Sequence, residues 1–327
     1  MPEPGRPAIR RREFLAAASG LVAAACSGAA PAPSPRSRAG PTTGRIPMVS
    51  PGSVPPAGAP RQRRARPATP ATAAVMLARS QIPVLCFHQV RDWAAADSPS
   101  ARTIITPPRR FAAQIDALAG AGYTPITPDQ LLAYLQYGTD LPARPVLLSF
   151  DDASAGQYTH ALPVLLAHRF TATFFVMTVV LDKPRWLSRT QVRDLHRRGM
   201  AIGAHTWDHH PVTGYSGHDW QIQLVQPARE LAAITSQPVR LFAYPYGLWN
   251  QPVLPHLHAA GYQAAFQLNG AQDRRQPLPS VSRLEGVLGA RGGRRGQARV
   301  LHRGTTSSDL GRRRPAEAGW PGGPGRL

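Results

Sequence analysis

The residues most able to do chemistry in this 327-residue sequence are two adjacent acids and a spaced pair of histidines. Asp151 and Asp152 come directly after an apolar run, residues 146–150. Buried acids are costly unless each has a partner. One acid could bind a metal ion while the other accepts a proton from a metal-bound water. An acid pair that caps the following helix is the simpler alternative.

His205 and His209 are four residues apart, a spacing that predicts two side chains on one face of a helical turn. The same spacing arises by chance in a chain with 11 histidines, so a solvated helix face is the alternative. Together with one acid of the pair, the histidines predict three protein ligands and an open position for water, as in catalytic zinc sites. Zinc is the expected ion, and cobalt, nickel or iron suit the same ligands. A non-haem iron oxygenase uses these ligand types too and is a competing interpretation.

A turn and a further histidine also follow apolar runs. Pro245-Tyr246-Gly247 predicts a rigid turn in which a backbone N–H, that of Tyr246, could face a developing oxyanion. An aromatic-flanked turn without a chemical role is the alternative. His88 ends the run at residues 84–87. A histidine in that place is either a proton donor or a side chain bonded to a carbonyl.

The elements that must position these residues alternate between strand and helix patterns, which predicts an α/β domain with a parallel sheet. The predicted strands are 84–88, 146–150, 172–177, 201–204, 240–243 and 263–267. The predicted helices are 109–121, 128–137, 157–168, 189–198, 220–235 and 253–260. An open doubly wound sheet and a barrel both fit. Because each candidate residue follows a strand, we expect a distorted (β/α) barrel of about seven parallel strands with the chemistry on one rim.

These patterns, in this order over residues 80–285, resemble the NodB-type polysaccharide deacetylases, a family of metal-dependent carbohydrate esterases. Ser149-Phe150-Asp151-Asp152 resembles that family's Thr/Ser-Phe-Asp-Asp motif. His205 to His209 resembles its His-Ser/Thr-x-x-His motif. The resemblance implies a NodB homology domain in which Asp151 is the general base and Asp152, His205 and His209 bind the metal.

The stretches 84–90 and 242–247 resemble the branch of the family that deacetylates poly-β-1,6-N-acetylglucosamine of the biofilm matrix. That resemblance implies His88 as the general acid. His302 is the other candidate, because residues 300–302 faintly resemble the family's late Leu-x-His motif. The expected substrate is therefore a glucosamine-containing polysaccharide, here poly-N-acetylglucosamine. Peptidoglycan, chitin oligomers and xylan are alternative substrates, and an inactive glycan-binding lipoprotein of the same fold is an alternative function.

Two departures from the family pattern stand near the predicted site. Ala153 occupies the place of the family's usual glycine, and Ala243 that of an arginine that often orients the base. Exposed aromatic side chains on the rim are expected to stack on sugar rings; the candidates are Trp207, Tyr244, Tyr246 and Trp249.

The N-terminus predicts export. Residues 1–26 combine a basic start with about a dozen apolar residues, which is too short to span a bilayer and typical of a secretory signal. Arg11-Arg12 resembles the twin-arginine pattern. The small residues before Cys26 resemble a lipoprotein box, in which a lipid on Cys26 would be the one link to a membrane. We expect an exported protein, secreted or anchored at the outer face of the cytoplasmic membrane.

Composition predicts tails on either side of the folded domain. Residues 27–79 are rich in Pro, Ala and Arg and predict a disordered tether, and residues 286–327 predict a disordered Arg/Gly-rich tail that is divergent or frame-shifted. The formal charge of +20 comes mostly from the tails, because residues 80–285 carry 17 basic and 14 acidic side chains. This distribution argues against a nucleic-acid partner. A monomer is expected.

Overall fold

The computed structural model describes residues 69–268 and 270–285. The predicted export signal, most of the predicted tether, and the tail from residue 286 lie outside the described residues. Within the described part of the chain, no helix is long and apolar enough to cross a lipid bilayer.

Ten strands and eight α-helices lie in the described residues. The strands are β1 Val84–Phe87, β2 Gln89–Val90, β3 Ile105–Thr106, β4 Thr124–Pro125, β5 Pro145–Phe150, β6 Thr173–Val176, β7 Ala201–Ala204, β8 Leu241–Ala243, β9 Ala264–Leu268 and β10 Val281–Glu285. The helices are α1 Ala73–Arg79, α2 Pro99–Thr103, α3 Pro108–Gly120, α4 Pro128–Tyr137, α5 Leu162–Ala167, α6 Arg189–Arg197, α7 Gln226–Thr235 and α8 Val253–Ala259.

Seven of these strands form a closed parallel barrel in the order β1-β5-β6-β7-β8-β9-β10, which returns to β1. The closure is made by β10, which pairs in parallel with both β9 and β1. The short strand β4 lies beside the start of β5, and β2 pairs with β3 outside the barrel. The predicted barrel of about seven parallel strands is therefore confirmed.

The barrel has two apolar layers because successive side chains of a strand point to opposite faces. Leu148 and Phe150 point outward and pack with helix residues such as Phe111. Val84 and Leu147 pack in the other cluster, which fills the barrel and is covered by α4. Burial on both faces explains why the strands read as continuous apolar runs rather than alternating ones.

Side chains inside the barrel become polar toward its carboxyl end. Above Val84 and Leu147 come Cys86 and Ser149, which are partners in the β1–β5 register and are both buried. The next residues on this face are His88 and Asp151. The barrel therefore has an apolar base and a polar mouth, and the mouth is where a polar reaction centre fits.

Local sequence sets the helices that surround the barrel. The α4 helix begins with a capping box between Thr127 and Gln130 and ends at Gly138, which has a left-handed φ of 67°. Gly122, Gly199 and Gly261, which follow α3, α6 and α8, also have positive φ, a conformation that glycine adopts readily because it lacks a Cβ atom.

Two predicted helices are not regular over their whole length. Residues 157–168 and 220–235 each begin with a π-helical turn, Gln157–Ala161 and Gln221–Val225. Each π turn comes just before a proline of the following α-helix, Pro163 or Pro227. Proline lacks an N–H and cannot continue the α-helical hydrogen-bond ladder, which accounts for the wider turn.

Six elements went unpredicted, namely α1, α2, β2, β3, β4 and β10, and two of them bear directly on the barrel. The α1 helix occupies Ala73–Arg79, the last residues of the segment expected to be a disordered tether. It is fastened to α4 because the Arg79 guanidinium donates to the Leu135 carbonyl at 2.9 Å. The other element is β10, which completes the barrel.

Candidate active site

The predicted residues meet at the carboxyl ends of the barrel strands. His88 follows β1, the acid pair follows β5, His205 follows β7, and the turn with Tyr246 follows β8. The predicted helical turn for the histidines is wrong, because His205 to His209 lie in a loop in which Thr206 and His209 have positive φ. The loop brings the two rings to a centroid distance of 4.8 Å all the same.

Asp152, His205 and His209 form a compact cluster. Asp152 Oδ1 lies 3.4 Å from His205 Nε2 and 3.5 Å from His209 Nε2. One ligand atom from each of the three side chains lies within 4.8 Å of the other two. Asp152 and His205 are buried and His209 is nearly so. These distances and donor types suit one divalent cation bound by a carboxylate and two imidazoles.

Hydrogen bonding in the cluster supports the same ligand set. His205 Nδ1 lies 2.8 Å from the Ala243 carbonyl, so Nδ1 carries the proton and Nε2 presents a lone pair to Asp152. Asp152 Oδ1 and His205 Nε2 are both buried and have no hydrogen-bond partner in the described part of the chain. Two acceptors that face each other inside a protein need a cation or a proton between them. The residues present therefore fit a metal ion.

Asp151 has a different partner. Its two carboxylate oxygens accept hydrogen bonds from Nη1 and Nη2 of Arg283 at 2.6 and 2.7 Å. Arg283 lies on β10, and both side chains are fully buried. Asp151 Oδ2 is also 4.0 Å from Nε2 of His88 and 4.0 Å from Nε2 of His205. Asp151 thus lies next to the cluster of Asp152, His205 and His209, but its carboxylate is paired with a guanidinium.

These contacts set the ionisation of the site. Burial opposes ionisation of Asp151, but the guanidinium of Arg283 outweighs it and holds the pKa of that carboxyl below its usual value. Burial likewise opposes ionisation of Asp152, yet His205 and His209 lower the pKa of its carboxyl. Burial lowers the pKa of His209 to about 4. Both acids are therefore ionised at neutral pH, and His209 is neutral, as a metal ligand must be.

A glutamine joins the strands that carry the proposed acid and base. Gln157 is fully buried in the π turn after β5, and its Nε2 donates to the His88 carbonyl at 2.9 Å and to the Asp151 carbonyl. It fixes the spacing between β1 and β5 at the point where His88 and Asp151 project. π turns inside helices are frequently found at functional sites.

Cys86 lies below the site and is buried, as expected for a small apolar side chain. Burial raises the pKa of its thiol well above the usual value. The thiol is thus neutral and a poor metal ligand, although it lies close to His88 and Asp151.

Backbone strain is concentrated around the cluster. Ten non-glycine residues of the described chain have positive φ, and five of them lie at the site: Asp152, Ala153, Thr206, His209 and Tyr246. Ala153, which replaces the family's usual glycine, has a φ of 67°. Such conformations cost of order 1–3 kcal/mol each and persist where the surrounding structure imposes them. Their position at the rim marks it as a functional surface.

The aromatic residues expected on the rim divide into two groups. Tyr246 is 49% exposed and its ring lies 4.6 Å from that of His209, while Trp207 is 36% exposed. Trp249 is half-buried. Tyr244 is completely buried and donates to the Pro279 carbonyl, so the expectation that it contacts sugar is wrong.

The structure thus brings together all six predicted site residues, whose roles stay predictions: His88, Asp151, Asp152, His205, His209 and Tyr246. His302 lies outside the described residues. Arg283 and Gln157 were missed by the sequence analysis. Arg283 lies in a short run, residues 281–285, and no local pattern in that run pairs it with Asp151. It takes the place beside Asp151 that the family pattern gives to an arginine at the position of Ala243.

Comparisons with known protein sequences agree with this geometry. A sequence model of the family described as polysaccharide deacetylase matches residues 138–265. YxkH of Bacillus subtilis, provisionally named a polysaccharide deacetylase, is 24% identical over 206 residues, which cover 63% of this chain and 71% of YxkH. The poly-beta-1,6-N-acetyl-D-glucosamine N-deacetylase of Staphylococcus aureus is 25% identical over 173 residues. That match covers 49% of this chain and 59% of the staphylococcal protein.

Solved structures show the same fold. The Streptococcus pyogenes deacetylase PplD in complex with acetate superposes with a TM-score of 0.57 at 23% identity, covering 63% of this chain and 92% of PplD. IcaB from Ammonifex degensii superposes with a TM-score of 0.54 at 26% identity, covering 63% of this chain and 91% of IcaB.

Proposed function

Because this chain belongs to the polysaccharide deacetylase family, whose members hydrolyse N-acetyl amide bonds, we propose that it removes acetyl groups from poly-β-1,6-N-acetylglucosamine. The observation that carries the proposal is the pairing of two differently held acids at one rim: Asp152 with two histidines, and Asp151 with Arg283. The choice of polymer is supported by the staphylococcal relative named for that substrate.

Asp152, His205 and His209 would hold a divalent metal ion, with zinc as the proposed ion. A metal ion held there would polarise the acetyl carbonyl and make the attacking water more acidic. Asp151 is the proposed acceptor of a proton from the attacking water, because it is ionised at neutral pH and borders the proposed metal ligands. Arg283 keeps its carboxylate ionised and fixes its orientation.

His88 and Tyr246 complete the proposed reaction. His88 Nε2 lies 4.0 Å from Asp151 Oδ2, on the same rim and 12% exposed, so it can donate a proton to the departing amine. The Tyr246 backbone N–H is the proposed donor to the tetrahedral oxyanion, because Tyr246 lies in a strained turn and its ring lies against His209.

Acetate release from poly-β-1,6-N-acetylglucosamine by the full chain tests the proposal. We expect release that a chelator abolishes and that zinc restores, with cobalt, nickel and iron as parallel additions. Chitin oligomers, peptidoglycan and acetylated xylan form the comparison arms. Faster release from one of these polymers would overturn the substrate, and release that persists in chelator would overturn the metal dependence.

We also propose that the enzyme acts outside the cytoplasm, because residues 1–26 read as an export signal and Cys26 as a lipid attachment site. Fractionation of expressing cells tests this location. Lipidation predicts a membrane-bound protein that becomes soluble in the Cys26→Ala variant, whereas a cytoplasmic protein would overturn export.

A further inference from the structure

The guanidinium of Arg283 is completely buried, but its hydrogen bonding is incomplete. Nη1 and Nη2 donate to the carboxylate of Asp151, and Nη1 also donates to the Ser149 hydroxyl at 3.3 Å. The remaining donor, Nε, is buried and has no hydrogen-bond partner among residues 69–268 and 270–285. A buried donor without an acceptor is destabilising, so a contact of another kind must hold the guanidinium in this place.

The ring of Phe175 supplies that contact. The central carbon of the Arg283 guanidinium lies over the ring, 5.3 Å from its centroid. A guanidinium within about 6 Å of a ring centroid is attracted by the negative face of the ring, and most strongly where water is excluded. Both side chains are completely buried. The ring therefore offsets part of the cost of leaving Nε without an acceptor.

The ring of Phe175 is itself held in place inside the barrel. Phe175 belongs to the apolar cluster that fills the barrel, and its ring centroid lies 5.2 Å from that of Phe266. Its register partner on β7 is Gly203. A Cβ atom at Gly203 would lie 2.5 Å from the ring of Phe175 and 3.0 Å from the Leu241 carbonyl oxygen. The ring thus occupies the space that a side chain at Gly203 would need.

The Ser149 hydroxyl gives the guanidinium a second fixed contact. Ser149 is completely buried on β5, and its hydroxyl donates to the Leu85 carbonyl of β1 at 3.0 Å while it accepts from Arg283. Two barrel strands therefore set the place of this hydroxyl. The hydroxyl, the ring of Phe175 and the carboxylate of Asp151 together define where the guanidinium lies.

We propose that Phe175 is a positioning residue for the reaction, and that Gly203 makes the room that its ring requires. The ring fixes the height of the Arg283 guanidinium in the barrel, and the guanidinium fixes the direction of the two carboxylate oxygens of Asp151. The proposal rests on the function proposed above, in which Asp151 accepts a proton from the attacking water. Without the ring, the guanidinium and the carboxylate shift together, and the base is no longer aligned with the metal ligands.

Acetate release by Phe175→Leu tests the proposal. The variant keeps an apolar side chain but has no aromatic face. We expect kcat to fall by about ten- to a hundredfold, as for a small misplacement of a reacting group, while KM and zinc content stay near those of the wild type.

Phe170→Leu is the matched control for this substitution. Phe170 is also buried, but it lies before β6, at the opposite end of the barrel from the site. We expect this variant to lose stability and to keep its kcat when both proteins are assayed well below their unfolding temperatures. Equal loss of kcat in the two variants, or an unchanged kcat in Phe175→Leu, would overturn the proposal.

Gly203→Ala displaces the ring without removing it. The added methyl group meets the ring of Phe175 and the Leu241 carbonyl, so we expect kcat to fall here as well. Gly120→Ala is the control, because a Cβ atom at Gly120 meets no atom within 4 Å. A folded Gly203→Ala protein with the kcat of the wild type would contradict the role given to the ring.

A double-mutant cycle separates this proposal from the deacetylase function, because it needs no activity. Urea unfolding in a chelator compares Phe175→Leu, Arg283→Met and the double variant. If the ring holds the guanidinium, the unfolding constant of the double variant rises by less than the product of the two single changes, by a factor of about 5–30.

Phe170→Leu combined with Arg283→Met is the control cycle, and its effects are expected to multiply. Effects that also multiply for Phe175→Leu would overturn the contact between ring and guanidinium. A wild-type protein that releases no acetate from any polymer would instead reject the deacetylase function, so the two failures are distinct.

Discussion

Asp151 and Asp152 are neighbours in the chain, but they lie in two differently organised corners of the same site. In the corner of Asp151, both carboxylate oxygens accept from Arg283. In the corner of Asp152, a carboxylate oxygen and a ring nitrogen of His205 face each other at 3.4 Å, and neither has a hydrogen-bond partner in the part of the chain described.

The difference separates a group that the protein satisfies by itself from a group arranged for a ligand. A buried carboxylate with a bidentate guanidinium is complete without further atoms, and its orientation is fixed. Buried acceptors that face one another are stable only with a positive charge between them. Adjacent identical residues can thus have different tasks because their partners come from different strands.

Substituting the two acids one at a time tests this comparison with the largest effect. We expect Asp151→Asn to lose about 10²–10⁴-fold in acetate release while its zinc content stays near that of the wild type, because it loses only the base. Asp152→Asn loses both zinc and activity. Atomic emission for zinc and an acetate assay on the same preparations give the answer. Equal loss of zinc from the two variants would show that Asp151 and Asp152 do not have the different roles assigned to them.

Arg283→Met removes both hydrogen bonds to the carboxylate of Asp151. Asp151 then becomes a buried charge without its guanidinium partner, and we expect unfolding free energy to fall by about 3–5 kcal/mol. Urea unfolding measures the change.

The control for this prediction is Arg198→Met. Arg198 also pairs with an acid, Asp194, but on the exposed face of α6, where ion pairs contribute little. A similar loss of stability in both variants would mean that burial does not explain the contribution of the Asp151–Arg283 pair to stability.

Gln157→Leu loosens the connection between the strands of the proposed acid and base. The His88 and Asp151 carbonyls lose a buried donor, so we expect destabilisation of about 1–3 kcal/mol together with slower acetate release. Thermal unfolding and the acetate assay measure the two effects. Thr159→Ala, on the exposed side of the same π turn, is the control. Unchanged activity in Gln157→Leu would assign the glutamine to stability alone.

Acid titration gives the smallest effect and sharpens the account of Asp151. Its pKa is lowered by Arg283, so the stability it contributes is present above the usual aspartate value of about 3.9 and is lost as pH falls through the lowered value. We expect the difference in unfolding free energy between wild type and Asp151→Asn to stay level from about pH 5.5 to 5 and to shrink below about pH 4.

Urea unfolding in the presence of a chelator measures this difference. The range stops near pH 5.5, because neighbouring carboxylates raise the pKa of His205 against the effect of burial and that histidine titrates at higher pH. A difference that grows as the pH falls would contradict the lowered pKa of Asp151.

The sequence predicted the parts of this molecule that depend on local spacing. The barrel strands, the acid pair and the two histidines follow from apolar runs and short motifs, and the structure brings them together at one rim. The sequence predicted the wrong conformation for the loop of His205 and His209, because a spacing of four residues fits a helix and a strained loop equally well. The π turns were missed because proline acts on the turn before it, an effect that apolar periodicity does not register.

Arg283 shows why the remainder could not be predicted. Its partner Asp151 is 132 residues earlier in the chain, and only the closure of the barrel brings β10 beside β1, whose other neighbour is β5. Likewise, Gln157 donates to two carbonyls, and one of them, that of His88, is 69 residues earlier in the chain. Both roles depend on tertiary neighbours that no local pattern specifies.

The late position of β10 also bears on how the protein is made. At roughly 5–20 residues per second, a ribosome adds Arg283 about 7–26 s after Asp151. During that interval the growing chain has the acid pair and, later, both histidines, but neither the strand that closes the barrel nor the guanidinium that steadies the proposed base. A chain cut short before residue 283 therefore lacks both the strand that closes the barrel and the guanidinium that pairs with Asp151.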